Sequence, residues 1–242
     1  NELLHFEFLP ISSLPRESCV YFTLYGIEIP QSEPSSSSDK EVFKPIAITM
    51  LKLLDFEEKL TQGSVLLGLW SGDVINQFER SAFTTPCLDK GCPLIIIDLP
   101  DYGSTITFPQ IDMKSSVCSY TKQDLYLLDS LTQTDIHLIL NADPMQKMTR
   151  TDETLLWDRR HYLYEVPSAL PKVLKSSPSW RWSSLHDIYS IVNNWSQLQA
   201  IDAMQLLLPA FPDKFVRKSA TEWISNLSND EICDYLPQLI QA

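Results

Sequence analysis

The residues whose chemistry could matter are scattered along the chain, and none of their spacings assembles a nucleophile, a base and an oxyanion hole. The nucleotide signatures Gly-x-Gly-x-x-Gly and Gly-x-x-x-x-Gly-Lys-Ser/Thr are absent, as are Asp-Phe-Gly and His-Arg-Asp. Asp158-Arg159-Arg160-His161 has a superficial likeness to a kinase catalytic loop. It falls in an apolar-periodic helical stretch, and no metal-binding Asn follows at the required interval. In Gly68-Leu69-Trp70-Ser71-Gly72 the serine lies one place too late for a hydrolase elbow, so the segment reads as a strand ending in a turn. Cys87 and Cys92 could supply two metal ligands, but structural zinc needs four, and His5, His137, His161 and His186 form no local pair. Glu57-Glu58 are adjacent, and adjacent side chains on a strand or helix point apart. Asp98 and Asp101 bracket a Leu-Pro turn, whereas calcium needs several carboxylate oxygens converging from loops. The expectation is therefore no catalytic, cofactor-binding or metal-ligating residue in this chain.

The elements that would position these residues change period part-way along. His5–Phe8 alternates polar and apolar, and Val20–Tyr25 and Ile46–Leu51 are rich in β-branched and aromatic residues. Val65–Trp70, Leu94–Leu99 and Thr105–Phe108 complete about six short strands punctuated by Pro and Gly, the pattern of an antiparallel β-sandwich. Gln31–Asp39 is a serine-rich, low-complexity loop with almost nothing to bury. Asp124–Leu131, with leucines three apart, reads as a short helix within a linker. From Thr149 the period is helical. Leu185, Ile188, Tyr189, Val192 and Trp195 form one stripe, and Val216, Ala220, Trp223 and Leu227 a second. Ile232, Tyr235, Leu236, Leu239 and Ile240 form a third. Six helices joined by short turns over about 90 residues suggest an α-solenoid, with Trp180, Trp182, Trp195 and Trp223 in its core. Burial of Trp223 would make Trp223→Ala cost about 3–5 kcal/mol.

Composition sets the outer limits. The chain has 242 residues, 44% hydrophobic and 21% charged, enough for two domains with real cores. Six glycines are too few for a collagen-like or glycine-linker protein. A net charge of −12 argues against nucleic acid and against a polybasic lipid contact. Five scattered cysteines in a chain this long point to the cytosol, and no apolar run reaches a membrane span. The first residue is Asn1, and the last residues follow an apolar helical pattern, so the sequence reads as a fragment.

Two stretches are more specific. One is Leu155-Leu156-Trp157-Asp158-Arg159-Arg160-His161-Tyr162 with Val166–Leu174; the other is Phe211–Ala220 with Asp234–Ala242. Together they resemble the accessory helical (PIK) domain of phosphoinositide 3-kinases. The Pro-Asp-x-x-Val-Arg-x-x-Ala pattern at 212–220 is also similar to a HEAT-type repeat, in which Asp213 caps a helix while Val216 and Ala220 face a neighbour. Upstream, Leu14-Pro15-Arg16-Glu17, Gly68-Leu69-Trp70 and Thr105-Ile106-Thr107-Phe108-Pro109 resemble successive landmarks of that family's C2 domain. Ser177–Trp182 and Tyr235–Leu239 look most like the class II enzymes.

The resemblance implies a C2-type sandwich over 1–114, incomplete at its N-terminus, a linker over 115–147, and a PIK helical solenoid over 148–242, incomplete at its C-terminus. It implies an intact parent that transfers the ATP γ-phosphate to the 3-hydroxyl of phosphatidylinositol or its 4-phosphate. ATP and magnesium would bind in a kinase domain outside this chain. The segment's partners would then be neighbouring domains of the same polypeptide, with phosphoinositide membranes reached through the parent and protein partners also open. Its location would be cytoplasmic and peripheral to plasma, endosomal or clathrin-associated membranes. The alternative is a C2–helical-repeat scaffold with no kinase domain.

Overall fold

A computed structural model of the chain describes residues 4, 10–28, 42–72, 85–111, 122–144 and 146–241. His5–Phe8, the serine-rich stretch and Cys118 lie outside the described residues. Two units separate: Glu17–Phe108, and Asn1–Arg16 together with Pro109–Ala242.

Among its described residues the first unit contains two antiparallel sheets. β1 (Cys19–Glu28) pairs with β2 (Val42–Lys52), and β2 pairs with the two-residue β4 (Trp70–Ser71). β3 (Gly63–Gly68) pairs with β5 (Leu94–Leu99). The β1–β2 register runs from Cys19↔Lys52 to Glu28↔Val42 and shifts between Leu24 and Tyr25, where Tyr25 faces Pro45 and Leu24 faces Ala47. A proline cannot donate to a ladder, so Pro45 sits at the bulge, and Ile46 is the extra residue. Ala47, Ile48, Met50, Leu51, Leu60, Leu67, Leu69, Cys87 and Phe108 form the buried core.

Two strand expectations change. Val65–Trp70 is not one strand: Leu69 leaves the β3–β5 ladder, and Trp70–Ser71 pairs with Ile48 and Ala47 instead. Gly68 makes that exchange possible, because a Cβ there would lie 2.1 Å from the Cys87 carbonyl oxygen. Among the described residues Thr105–Phe108 forms only the bridge Lys59↔Thr107, with hydrogen bonds from Leu60 N to the Ile106 carbonyl and from Phe108 N to that of Glu58. Pro109 has no N–H to extend the ladder. Leu94–Leu99 is a strand as expected, with Leu94 and Ile96 exposed and Ile95 and Ile97 half-buried.

The second unit contains seven described α-helices: α1 Ser130–Asn141, α2 Arg150–Asp158, α3 Leu170–Lys175, α4 Trp182–Asn194, α5 Ala200–Gln205, α6 Lys214–Ile224 and α7 Asn229–Gln241. The short helix expected over Asp124–Leu131 is two elements. Asp124 caps a 3-10 turn at Leu125–Leu127, which matches the three-residue leucine spacing. Asp129 then accepts from Thr132 N at 2.9 Å and starts α1, whose Ile136 is fully buried. Thr149 and Asp152 form a reciprocal capping box that starts α2. α2 ends at Asp158, and Arg160–Tyr162 is a 3-10 turn, so Asp158–His161 is a helix end rather than helix interior.

The α4 stripe is buried throughout, from Leu185 to Trp195. α6 is rotated from the expected stripe: Val216, Ala220 and Ile224 are buried, and Trp223 and Leu227 are half-buried. A full core value for Trp223→Ala is therefore wrong. Of the four tryptophans assigned to the core, Trp195 alone is buried; Trp180 and Trp223 are half-buried, and Trp182 is exposed. On α7, Ile232, Tyr235 and Leu239 are half-buried, whereas Leu236 and Ile240 face solvent.

Candidate functional site

The most constrained polar site lies in the helical unit and centres on Asp213. Its position follows from local sequence. Pro212 prevents an earlier helix, Phe211 is buried, and the Asp213 backbone is extended, as an N-cap requires. Asp213 Oδ1 accepts the amides of Phe215 and Val216 at 2.9 and 3.1 Å. This is the capping role read from the sequence. The other oxygen has a second role. Oδ2 accepts the Tyr189 hydroxyl from α4 at 2.8 Å and Arg16 Nη2, also at 2.8 Å. Arg16 and Asp213 side chains are only 9% and 5% exposed, so the pair is a buried one.

Every donor has an evident cause. Tyr189 belongs to the buried stripe of α4, and its ring lies 4.3 Å from that of Phe215, which aims its hydroxyl at the cap. Burial, and after it the Asp213 carboxylate, pushes the Tyr189 phenol far up, so it remains a donor at any physiological pH. Arg16 follows Pro15 and lies 197 positions from Asp213 in sequence. One carboxylate therefore joins α4, α6 and the segment preceding β1. The same chain stretch is anchored further on, where Arg217 Nη1 donates to the Leu207 carbonyl at 2.6 Å.

A second polar anchor is Lys172 on α3. Its Nζ donates to the carbonyls of Ile139, Leu140 and Ala142 at 2.7, 3.0 and 2.5 Å. It thereby satisfies the open C-terminus of α1 and places a cation at the negative end of its dipole. The residue is 8% exposed, and burial, then Lys175, lowers its pKa. It lines a small cavity of about 50 Å³ with Ile139, Asp143, Met148 and Asp152.

The residues weighed from the sequence do not come together. Asp98 accepts the Ser64 hydroxyl at 2.5 Å, while Asp101 accepts the Gly103 amide at 2.8 Å and closes its own turn. Glu57 is taken up by Lys59 beside it. Among the described residues no three His, Cys, Asp or Glu side chains converge on a metal-sized site. His161 packs 6.2 Å from Tyr164, whose ring lies 4.9 Å from that of Trp195.

Two residues of the Asp213 junction and the α1 anchor had no role in the sequence reading. Arg16 is contiguous with a recognised landmark, but nothing local announces a partner 197 positions away. Lys172 carried a signal: it is a lone cation in the apolar run Ala169-Leu170-Pro171-Lys172-Val173-Leu174, and a buried lysine must find acceptors.

The sequence model of the phosphoinositide 3-kinase family accessory domain (PIK domain) matches residues 124–242, and that of the phosphoinositide 3-kinase C2 domain matches residues 1–90. The chain belongs to the phosphoinositide 3-kinase family. It is 35% identical over 237 residues to human phosphatidylinositol 4-phosphate 3-kinase C2 domain-containing subunit beta, covering 96% of the chain and 14% of that relative. It is 34% identical over 246 residues to the alpha subunit of Pongo abelii, covering 100% of the chain and 14% of that protein. Phosphatidylinositol 3-kinase 1 of Dictyostelium discoideum is 25% identical over 246 residues, covering 100% of the chain and 16% of the relative. The chain thus spans about one-seventh of the length of these phosphoinositide 3-kinases, and it is most like the class II, C2 domain-containing members. Asp213, Tyr189 and Lys172 fall inside the PIK match, and Arg16 inside the C2 match.

Proposed function

We propose that this phosphoinositide 3-kinase segment is a non-catalytic scaffold that packs and orients neighbouring domains of its own polypeptide. The intact parent would transfer the γ-phosphate of ATP to the 3-hydroxyl of phosphatidylinositol or phosphatidylinositol 4-phosphate. The observation that carries this reading is the Asp213 junction. One buried carboxylate ties the segment preceding the sandwich to two helices of the PIK unit, which is the architecture of a support. ATP and magnesium are assigned to the parent's kinase domain. Asp98, Asp101 and Asp213 are committed to a cross-strand serine hydroxyl, a turn and a helix cap, and do not suit a magnesium–nucleotide complex. The parent would work in the cytoplasm, peripheral to plasma, endosomal or clathrin-associated membranes, and this segment would meet lipid only through it.

The test compares the intact parent with the 242-residue chain in a lipid kinase assay on phosphatidylinositol vesicles with ATP and magnesium. The expected result is 3-phosphorylated lipid from the parent and none from the chain. Product from the chain alone, or an inactive parent under conditions where a related kinase works, would overturn the proposal.

A further inference from the structure

Cys87 and Cys92 are both free thiols, Cys87 buried and Cys92 half-buried. The chain between them folds back on itself. The Cys92 amide donates to the Asp89 carbonyl, and Gly91 has φ +94, a left-handed conformation that favours glycine. The loop ends are pinned to one point of the sandwich unit, because Cys87 N donates to the Gly68 carbonyl and Leu69 N to that of Pro93. This places Cys92 Sγ 3.8 Å from the Cys87 carbonyl oxygen. A Cβ on Gly68 would lie 2.1 Å from that oxygen and 2.8 Å from Cys92 Sγ, so both cysteines pack on the bare Gly68 backbone. Burial, then a hydrogen bond with the Cys87 thiol, raises the Cys92 thiol above its usual range, so at neutral pH it is protonated and the attacking thiolate is the minority form.

We propose that Cys87 and Cys92 are a dithiol modification site that closes an intraloop disulfide by exchange with a small disulfide such as glutathione disulfide. The half-buried Cys92 is the entry thiol. As the thiolate it attacks one sulfur of glutathione disulfide, forms a mixed disulfide and releases one glutathione thiolate. Cys87 loses its proton and attacks the Cys92 sulfur, which expels the second glutathione. In total two protein thiols and one glutathione disulfide give one protein disulfide and two glutathiones. The second step is favoured because the loop holds the two sulfurs at high effective concentration. Closing so short a loop constrains the unfolded chain little, so the change is local to the start of β5.

The test incubates the whole chain in glutathione redox buffers, quenches by alkylation, and maps peptides by mass spectrometry. The expected product is a peptide with Cys87 linked to Cys92, while the exposed Cys233 carries a glutathione mixed disulfide in the same sample. Cys87→Ser should leave a persistent glutathione adduct on Cys92. Cys92→Ser should leave Cys87 unmodified, and circular dichroism checks that both variants are folded. Cys87 and Cys92 both fully alkylated in buffers that modify Cys233 would overturn the proposal, as would a persistent mixed disulfide on wild-type Cys92 or linkage of either to another cysteine.

Discussion

Replacing Asp213 by Ala should be among the most damaging single changes in the helical unit, and its cost can be built from the contacts. The cap is lost, worth about 1 kcal/mol. The Tyr189 hydroxyl loses its acceptor, which costs about 1–3 kcal/mol for a buried donor. Arg16 is left as a buried cation without this carboxylate, and breaking a buried pair costs about 3–5 kcal/mol. These terms share one carboxylate and do not add, so the expected total is about 3–5 kcal/mol. Asp213→Asn keeps an oxygen over the Phe215 and Val216 amides and should cost about 1–2 kcal/mol less. Arg16→Met should cost about 1–3 kcal/mol, because the carboxylate keeps three other donors. Urea unfolding followed by the helical circular dichroism signal measures each change. The double variant completes a cycle whose coupling should exceed about 0.5 kcal/mol. A loss below about 1 kcal/mol for Asp213→Ala, or additive single changes, would refute the reasoning.

Lys172→Met keeps the side-chain volume but strips the donors from three carbonyls at the end of α1, so it should destabilise by about 2–3 kcal/mol in the same assay. A change within 0.5 kcal/mol of zero, about the range for an ordinary surface substitution, would mean that water replaces the ammonium. On α6, Ile224→Ala should cost about 2–4 kcal/mol and Trp223→Ala about 1–2 kcal/mol, reversing the order of side-chain size; the larger loss at Trp223 would contradict the observed face. His161 gives a pH dependence. Burial first, then Arg160, lowers its pKa against a partial opposing pull from Asp187. The unfolded chain therefore binds more protons than the folded one just below the ordinary histidine value of about 6.5. Stability should fall as pH drops through that value, levelling off below the folded pKa. Midpoints measured across this window should show the slope in wild type and a weaker one in His161→Gln; equal slopes would assign it to other groups.

Local chemistry made much of the fold legible and long-range chemistry did not. The stripe from Leu185 to Trp195 predicted the buried face of α4 because one helix period fixes it. Asp213 was readable as a cap because Pro212 and the following apolar spacing are adjacent in sequence. The errors fall where tertiary structure selects among local options. Val65–Trp70 has uniform strand propensity, yet Gly68 and Leu69 divide it between two sheets. Trp223 and Ile224 both fit a helical stripe, and packing selected the smaller residue. The second role of Asp213 was hidden because Arg16 lies 197 positions away. Lys172 could have been found, since a lysine inside a wholly apolar helix turn must locate acceptors.

The central claim, that this is a supporting segment of a lipid kinase, is tested most directly by reading the coding sequence on both sides of it in its source transcript. The account predicts upstream codons that complete the C2 sandwich. It predicts downstream codons for further PIK helices, followed by a kinase lobe bearing Asp-Phe-Gly. A stop codon soon after Ala242, or an unrelated continuation, would contradict the kinase parent and leave a C2–helical interaction module in its place.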